Sequence, residues 1–133
     1  MTIVLDASAA IEIILKREKS TDLRKKVEIS EKVITSDLYK IEIANVLWKY
    51  CKADLLVKND ANKILFLAEN LIDEFIDISE NNNESLNEAI RLNHSTYDML
   101  YFTLARRTGA TLMTLDSRLN SLAKKEGIDI VEV

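Results

Sequence analysis

A regular alternation of short apolar runs with longer amphipathic segments constrains the fold most strongly. The apolar runs are rich in β-branched residues, which is typical of strands covered on both faces. Between them, apolar residues recur every three or four positions, which is typical of helices with one buried stripe. The predicted strands are "TIVL" (2–5), "VITS" (33–36), "FIDIS" (75–79), "ATLMTL" (110–115) and "IDIVEV" (128–133). The predicted helices are a segment beginning at residue 8 and the segments 20–31, 38–52, 61–72, 83–93, 96–107 and 117–126.

Strand and helix alternate along the whole chain, and such alternation predicts a parallel sheet with helices on both faces. The chain has 133 residues, which fits one domain, 1–133, with a single core. No repeat, linker or low-complexity tract divides it. We therefore expect a three-layer α/β domain with five strands.

Composition restricts the cellular setting more than the activity. Every apolar run is far shorter than the ~18 residues that span a bilayer, so no membrane association is expected. The amino terminus "MTIVLD" has no basic region or cleavage-like site, which predicts a cytoplasmic protein. The formal net charge of −4 provides no general electrostatic attraction for nucleic acid, although local basic clusters exist.

Four acidic residues are predicted to gather at one edge of the sheet. Asp6 directly follows the first strand and Asp116 directly follows the fourth. In open parallel sheets, ligands bind beyond the carboxyl ends of the strands, where the strand order reverses. Glu42 lies in the helix after the second strand, and Asp98 stands at the head of the apolar helix "TYDMLYFTLA" that leads to the fourth strand.

Each acid also has a simple structural explanation. Asp6 and Asp116 can cap the helices that follow them, and Asp98 can form a capping box with Ser95. Glu42 can be a solvated helix residue beside the apolar stripe. Four acids on one predicted edge are more than capping requires, which favours a shared function.

Clustered carboxylates predict a metal site. Two of them about 5 Å apart repel by about 3 kcal/mol at an effective dielectric of ~20, so a cluster needs bound protons or a cation. Carboxylate oxygens without histidine or cysteine select hard ions such as Mg²⁺ or Mn²⁺. Such a metal can bind a phosphate, activate a water molecule and stabilise a leaving oxygen.

Four motifs together resemble the PIN-domain ribonucleases, and within them the VapC-type toxins of toxin–antitoxin modules. In chain order the motifs are "VLDASA", "IEIANVL", "STYDMLYFTLA" and "TLMTLDSRL". The resemblance covers residues 1–133. It places the acidic metal site on Asp6, Glu42, Asp98 and Asp116, with a nearby hydroxyl at Thr114 and supporting residues at Ser8 and Asn45. Two departures are the missing proline in "SDLYKIE" and Met99, where a small residue is usual.

The resemblance implies a five-stranded parallel sheet in the order 3-2-1-4-5 and RNA cleavage that depends on Mg²⁺ or Mn²⁺. A metal-activated water is expected to leave 5′-phosphate and 3′-hydroxyl ends. The implied biological role is the toxin of a type II toxin–antitoxin system. The implied partners are the RNA substrate, a cognate antitoxin protein and a second copy of the chain in a homodimer.

Three other protein classes would each be expected to show sequence features that differ from those of this chain. A receiver-type phosphoacceptor domain pairs two acids after its first strand and keeps a lysine after its fifth, and this chain has neither feature. A haloacid-dehalogenase-like phosphatase needs D-x-D, but Ser8 occupies the second position. A catalytically inactive PIN scaffold would not need all four acids.

His94, the single histidine, is interpreted as a partner of a helix dipole rather than as a general base.

Overall fold

The computed structural model describes residues 1–132 and has the predicted alternating order of elements. Within these residues, no helix combines the length and apolar character needed to cross a membrane. In chain order the elements are β1 (Thr2–Leu5), α1 (Ala7–Ile14), α2 (Ser20–Ile29), β2 (Lys32–Ser36), α3 (Leu38–Lys52), α4 (Lys58–Asn70), β3 (Glu74–Ile76), a 3-10 helix (Ile78–Glu80), α5 (Asn82–Leu92), α6 (Thr96–Thr108), β4 (Thr111–Met113) and α7 (Ser117–Lys125).

The strands form one parallel sheet with β1 at its centre. In the described part of the chain its order is β3-β2-β1-β4. Val4 of β1 lies opposite Ile34 of β2 on one side and opposite Leu112 of β4 on the other. The side chains of β1 from Ile3 to Leu5 are completely buried, as expected for a strand covered on both faces. The predicted order of the first four strands is confirmed.

The predicted fifth strand is reduced to a single bridge between Ile130 and Leu112. The Leu112 amide donates to the Asp129 carbonyl oxygen at 2.8 Å, and the Val131 amide donates to the Leu112 carbonyl oxygen at 3.0 Å. Strand β4 itself ends at Met113, and the carbonyl oxygen of Thr114 just beyond it accepts from the Asn120 side chain at 2.9 Å. The segment therefore lies beside β4 as expected, but the prediction of a full strand over 128–133 was wrong for its described part.

Helices cover both faces of the sheet. The connections β1-α1-α2-β2 and β2-α3-α4-β3 run in one direction across the sheet, whereas β3-α5-α6-β4 runs back in the other. Since such crossovers are right-handed, the two groups of helices lie on opposite faces. In agreement, α1 packs against α2, α3 and α4, while α6 packs against β1, β2, β4, α5 and α7. The three-layer α/β architecture is confirmed.

Helix α6, whose first turn carries Asp98, has a long buried segment. Its residues from Met99 to Ala105 are all buried. Two polar side chains dock it against the beginning of α5: Asn81 donates to the carbonyl oxygen of Leu100 at 2.9 Å, and Ser85 donates to that of Met99 at 3.2 Å. These bonds fix the first turn of α6, which contains Asp98.

Candidate active site

A cleft of about 320 Å³ opens at the carboxyl edge of the sheet, where the strand order reverses between β1 and β4. All four acidic residues singled out in the sequence line this cleft, as do Ser8 and Asn45, whereas Thr114 does not. The lining residues are Asp6, Ala7, Ser8, Glu42, Asn45, Val46, Lys49, Asp98, Tyr101 and Asp116.

Asp6 caps helix α1 and is the most buried acid of the cleft, with 6% of its surface exposed. Its Oδ1 accepts from the Ala9 amide at 3.0 Å and from the Ser8 hydroxyl at 2.7 Å. Burial raises the pKa of Asp6 to about 6, and the nearby Glu42 charge contributes to the rise. Hydrogen bonds from Thr114, Ala9 and Ser8 offset part of it. Asp6 therefore does cap helix α1, but its burial makes the carboxylate costly to ionise.

Two hydroxyl groups join the loop after β1 to the loop after β4. Ser8 Oγ accepts from the Leu115 amide at 3.0 Å and lies 3.3 Å from Thr114 Oγ1. Thr114 Oγ1 in turn accepts from the Asp116 amide at 3.1 Å. Asp116 caps α7 by accepting the Leu119 amide on Oδ1 at 2.9 Å. This chain of contacts holds the two strand-end acids in a fixed relation.

Glu42 is half-buried and hydrogen-bonded, so it is more than a solvated helix residue. The Tyr101 hydroxyl donates to Glu42 Oε1 at 2.5 Å. Burial raises the pKa of Glu42, the bond from Tyr101 lowers it, and the Asp98 charge raises it again. Burial and the Glu42 charge also raise the pKa of Tyr101 far above its ordinary value, so the phenol keeps its proton and remains a donor.

Asp98 stands in the first turn of α6, and its carboxylate contacts a histidine. Ser95 caps the helix by accepting the Asp98 amide at 3.3 Å. The Asp98 side chain does not complete a capping box, because its Oδ2 lies 2.7 Å from Nε2 of His94. The His94 side chain is 6% exposed. The interpretation of His94 as a dipole partner therefore missed its main contact, which is with a cleft acid.

Lys49 and Tyr101 line the cleft although the motifs did not single them out. Lys49 lies seven positions after Glu42 on α3, and within residues 1–132 it forms no ion pair. Tyr101 lies three positions after Asp98 on α6. Helical spacing from the two acids was the available signal, since residues three, four or seven apart share a helix face.

The cleft offers carboxylate oxygens as donors for a divalent cation. Within residues 1–132, no three histidine, cysteine, aspartate or glutamate side chains come together as a complete protein ligand set. Mg²⁺ does not require one, because it usually binds one or two carboxylates and completes its shell with water and substrate oxygens. Asp6 and Glu42 repel each other, as do Glu42 and Asp98, and a cation relieves such repulsion. The cleft thus fits a hard divalent cation that retains water ligands.

The chain belongs to the PIN domain family, whose sequence model matches residues 3–125. It is 33% identical over 124 residues to Ribonuclease VapC3 of Pyrobaculum aerophilum, an alignment that covers 90% of this chain and 92% of that protein. The resemblance to PIN-domain VapC proteins is confirmed by these matches.

Two solved structures share the fold. The crystal structure of PAE2754 from Pyrobaculum aerophilum superposes with a TM-score of 0.76 at 26% identity, covering 98% of this chain and 92% of that one. VapBC2 from Rickettsia felis, crystallised with a DNA fragment from its promoter, gives a TM-score of 0.70 at 16% identity and covers 98% of both chains. At these TM-scores, both superpositions support the three-layer arrangement described above.

Proposed function

We propose that this protein is an endoribonuclease that depends on Mg²⁺ or Mn²⁺ and acts as the toxin of a type II toxin–antitoxin system. The main support is one cleft lined by four carboxylates from four separate segments of a PIN domain. The 33% identity to a protein named as a ribonuclease supports RNA as the substrate.

In this proposal Asp6, Glu42, Asp98 and Asp116 are the catalytic acids, and their carboxylates provide metal ligands together with water and substrate oxygens. The chemistry that Mg²⁺ or Mn²⁺ supplies at such a site is activation of the attacking water and neutralisation of the phosphodiester charge. Each acid comes from a different loop or helix, so the fold must hold them in place. Ser8 and Thr114 support Asp6 and Asp116 through their hydrogen bonds. Asn45, which also lines the cleft, is a supporting residue for substrate orientation.

Lys49 gives the cleft a positive charge for the RNA backbone. It lies about 10 Å from Glu42 along the axis of α3, given a rise of 1.5 Å per residue. A phosphate held through a cation that the acids bind, and a neighbouring phosphate held by Lys49, would place the RNA along this helix. This arrangement explains how a protein with a net charge of −4 can bind a polyanion locally.

Membership of the PIN family leaves no support for the receiver or dehalogenase-like alternatives. The inactive-scaffold alternative predicts the same fold, so activity must decide against it. In the toxin role, a cognate antitoxin would cover the cleft and bring an arginine or lysine to the carboxylates through charge-assisted bonds. The solved structure of VapBC2 from Rickettsia felis is that of a similar protein, and it supports the proposal of a protein partner for this chain.

A homodimer and a cytoplasmic location complete the proposal. Large apolar side chains on α3 and α4 are exposed: Ile41 by 63%, Trp48 by 55% and Phe66 by 64%. Exposed apolar surface of this kind marks protein contacts. The helices after β2 are therefore the proposed dimer surface.

The proposal is tested by incubating the purified chain with RNA in Mn²⁺ and in excess EDTA. Wild type should cleave only with the metal, and Asp98→Asn should lose at least about 100-fold in rate, as is usual when a metal site is damaged. Asp129→Asn is the matched control, because this exposed aspartate does not line the cleft. Full activity of Asp98→Asn would remove Asp98 from the site, and an inactive wild type would favour the scaffold.

A further inference from the structure

Tyr101 makes a contact that links the two helices carrying Glu42 and Asp98. Its side chain is 1% exposed and belongs to the buried face of α6, yet its hydroxyl reaches the cleft and donates to Glu42 Oε1 at 2.5 Å. The two residues are 59 positions apart, so the bond depends on the packing of α6 near α3. It is a tertiary contact between a core side chain and a candidate ligand.

A second buried tyrosine shows that this partner is not dictated by burial alone. A buried phenol needs a hydrogen-bond acceptor, and a backbone carbonyl is sufficient. Tyr39 is fully buried and donates to the carbonyl oxygen of Ala68 at 2.6 Å. Tyr101 instead donates to a carboxylate that lines the cleft. Its hydroxyl therefore affects a functional group, whereas the Tyr39 hydroxyl joins α3 to α4.

The bond restricts how Glu42 can present its oxygens. A glutamate has three side-chain torsions and, on a helix, can point along the surface or into a cleft. With Oε1 held by Tyr101, Oε2 is the oxygen without a hydrogen-bond donor among residues 1–132. Asp98 is close enough for its charge to act on Glu42. Oε2 is thus the atom available to a cation near Asp98.

We propose that Tyr101 is a positioning residue whose hydroxyl holds Glu42 in the orientation that binds the divalent cation. This inference rests on the proposed metal-dependent function and extends it to a residue outside the acidic set. Tyr101 does not contact the cation in this proposal; it acts through Glu42. Mutation of a residue that hydrogen-bonds to a metal ligand commonly lowers metal affinity by 10- to 100-fold.

The test compares Tyr101→Phe with Tyr39→Phe in the full chain by titrating Mn²⁺ without RNA and measuring bound metal by calorimetry. Each variant loses one buried hydroxyl and keeps the ring. Tyr101→Phe should raise the Mn²⁺ dissociation constant roughly tenfold, while Tyr39→Phe should leave it unchanged. Combining Tyr101→Phe with Glu42→Gln should add little to Glu42→Gln alone, because Tyr101 acts through that carboxylate.

Three outcomes of the titrations would overturn the inference. Unchanged Mn²⁺ affinity in Tyr101→Phe would do so while leaving the metal site intact, and so would fully additive losses in the double variant. A wild type that binds no Mn²⁺ would overturn the proposed function as well. Should Tyr101→Phe not fold, the ring-carbon NMR signal of Tyr101 in wild type replaces it: added Mg²⁺ should shift this signal and not that of Tyr39. Equal behaviour of the two signals would contradict the proposal.

Discussion

Asp6→Asn is expected to stabilise the metal-free protein at pH 8, although it removes a proposed ligand. Burial raises the pKa of Asp6 from 3.8 to about 6. That difference corresponds to about 3 kcal/mol by which the folded state disfavours the ionised carboxylate. Asparagine has nearly the same volume, carries no charge and keeps an acceptor oxygen for the Ala9 amide and the Ser8 hydroxyl.

The pH dependence of this effect follows from proton binding. Since the pKa of Asp6 is higher in the folded state, the folded protein binds more protons than the unfolded chain between about pH 4 and 6. Wild-type stability therefore falls as pH rises through this window and the loss is complete above it. The free energy of unfolding of Asp6→Asn should exceed that of wild type by about 1–3 kcal/mol at pH 8, and this advantage should disappear near pH 4.

Urea denaturation in EDTA at pH 4, 6 and 8 measures the difference, with Asp129→Asn as the matched control. Saturating Mg²⁺ should then reduce the advantage of the variant by stabilising wild type, by about 2.7 kcal/mol at a concentration 100 times the dissociation constant. A variant that is less stable than wild type at pH 8 without metal would refute the reasoning. So would a difference between the two proteins that does not change with pH.

Two further predictions concern the surfaces around the cleft. Lys49→Gln, made in the Asp98→Asn background, should reduce the slope of log binding constant against log salt for single-stranded RNA by about 0.7, because one phosphate contact is lost. Lys63→Gln on α4 should leave the slope unchanged, and equal slopes in both variants would remove Lys49 from the RNA path. Sedimentation at micromolar concentration should show a dimer that Trp48→Glu converts to a monomer; a monomeric wild type would contradict the proposed α3–α4 surface.

The meeting of the acids in one cleft could be anticipated from the sequence because of a property of parallel sheets. Asp6 and Asp116 follow strands that point the same way, so both must emerge at the same edge. The apolar periodicity also predicted where most helices begin and end to within a few residues. Glu42 and Asp98 were harder to place, because helix positions near that edge depend on how α3 and α6 pack.

The hydrogen-bond partners of those acids could not be predicted. In the sequence pattern Tyr101 counts as one more apolar residue of a buried helix, and nothing local shows that its hydroxyl meets Glu42 across 59 positions. His94 is only four positions from Asp98, but its ring reaches that carboxylate because of the turn between α5 and α6, which the sequence pattern does not show. The prediction of a full fifth strand failed because the alternating pattern of that segment does not show that its neighbour β4 ends at Met113, and among the described residues one bridge, Ile130 to Leu112, is formed.

Mapping the ends of the RNA products tests the central claim, catalysis by the carboxylate cleft, most directly. The chain contains one histidine, so it lacks the pair of acid–base histidines that a metal-free attack by the RNA 2′-hydroxyl would use. Cleavage in Mn²⁺ should leave 5′-phosphate and 3′-hydroxyl ends, and it should persist when the nucleotide just 5′ of the cleaved bond is 2′-deoxy. A 2′,3′-cyclic phosphate product, or undiminished cleavage in excess EDTA, would contradict the account.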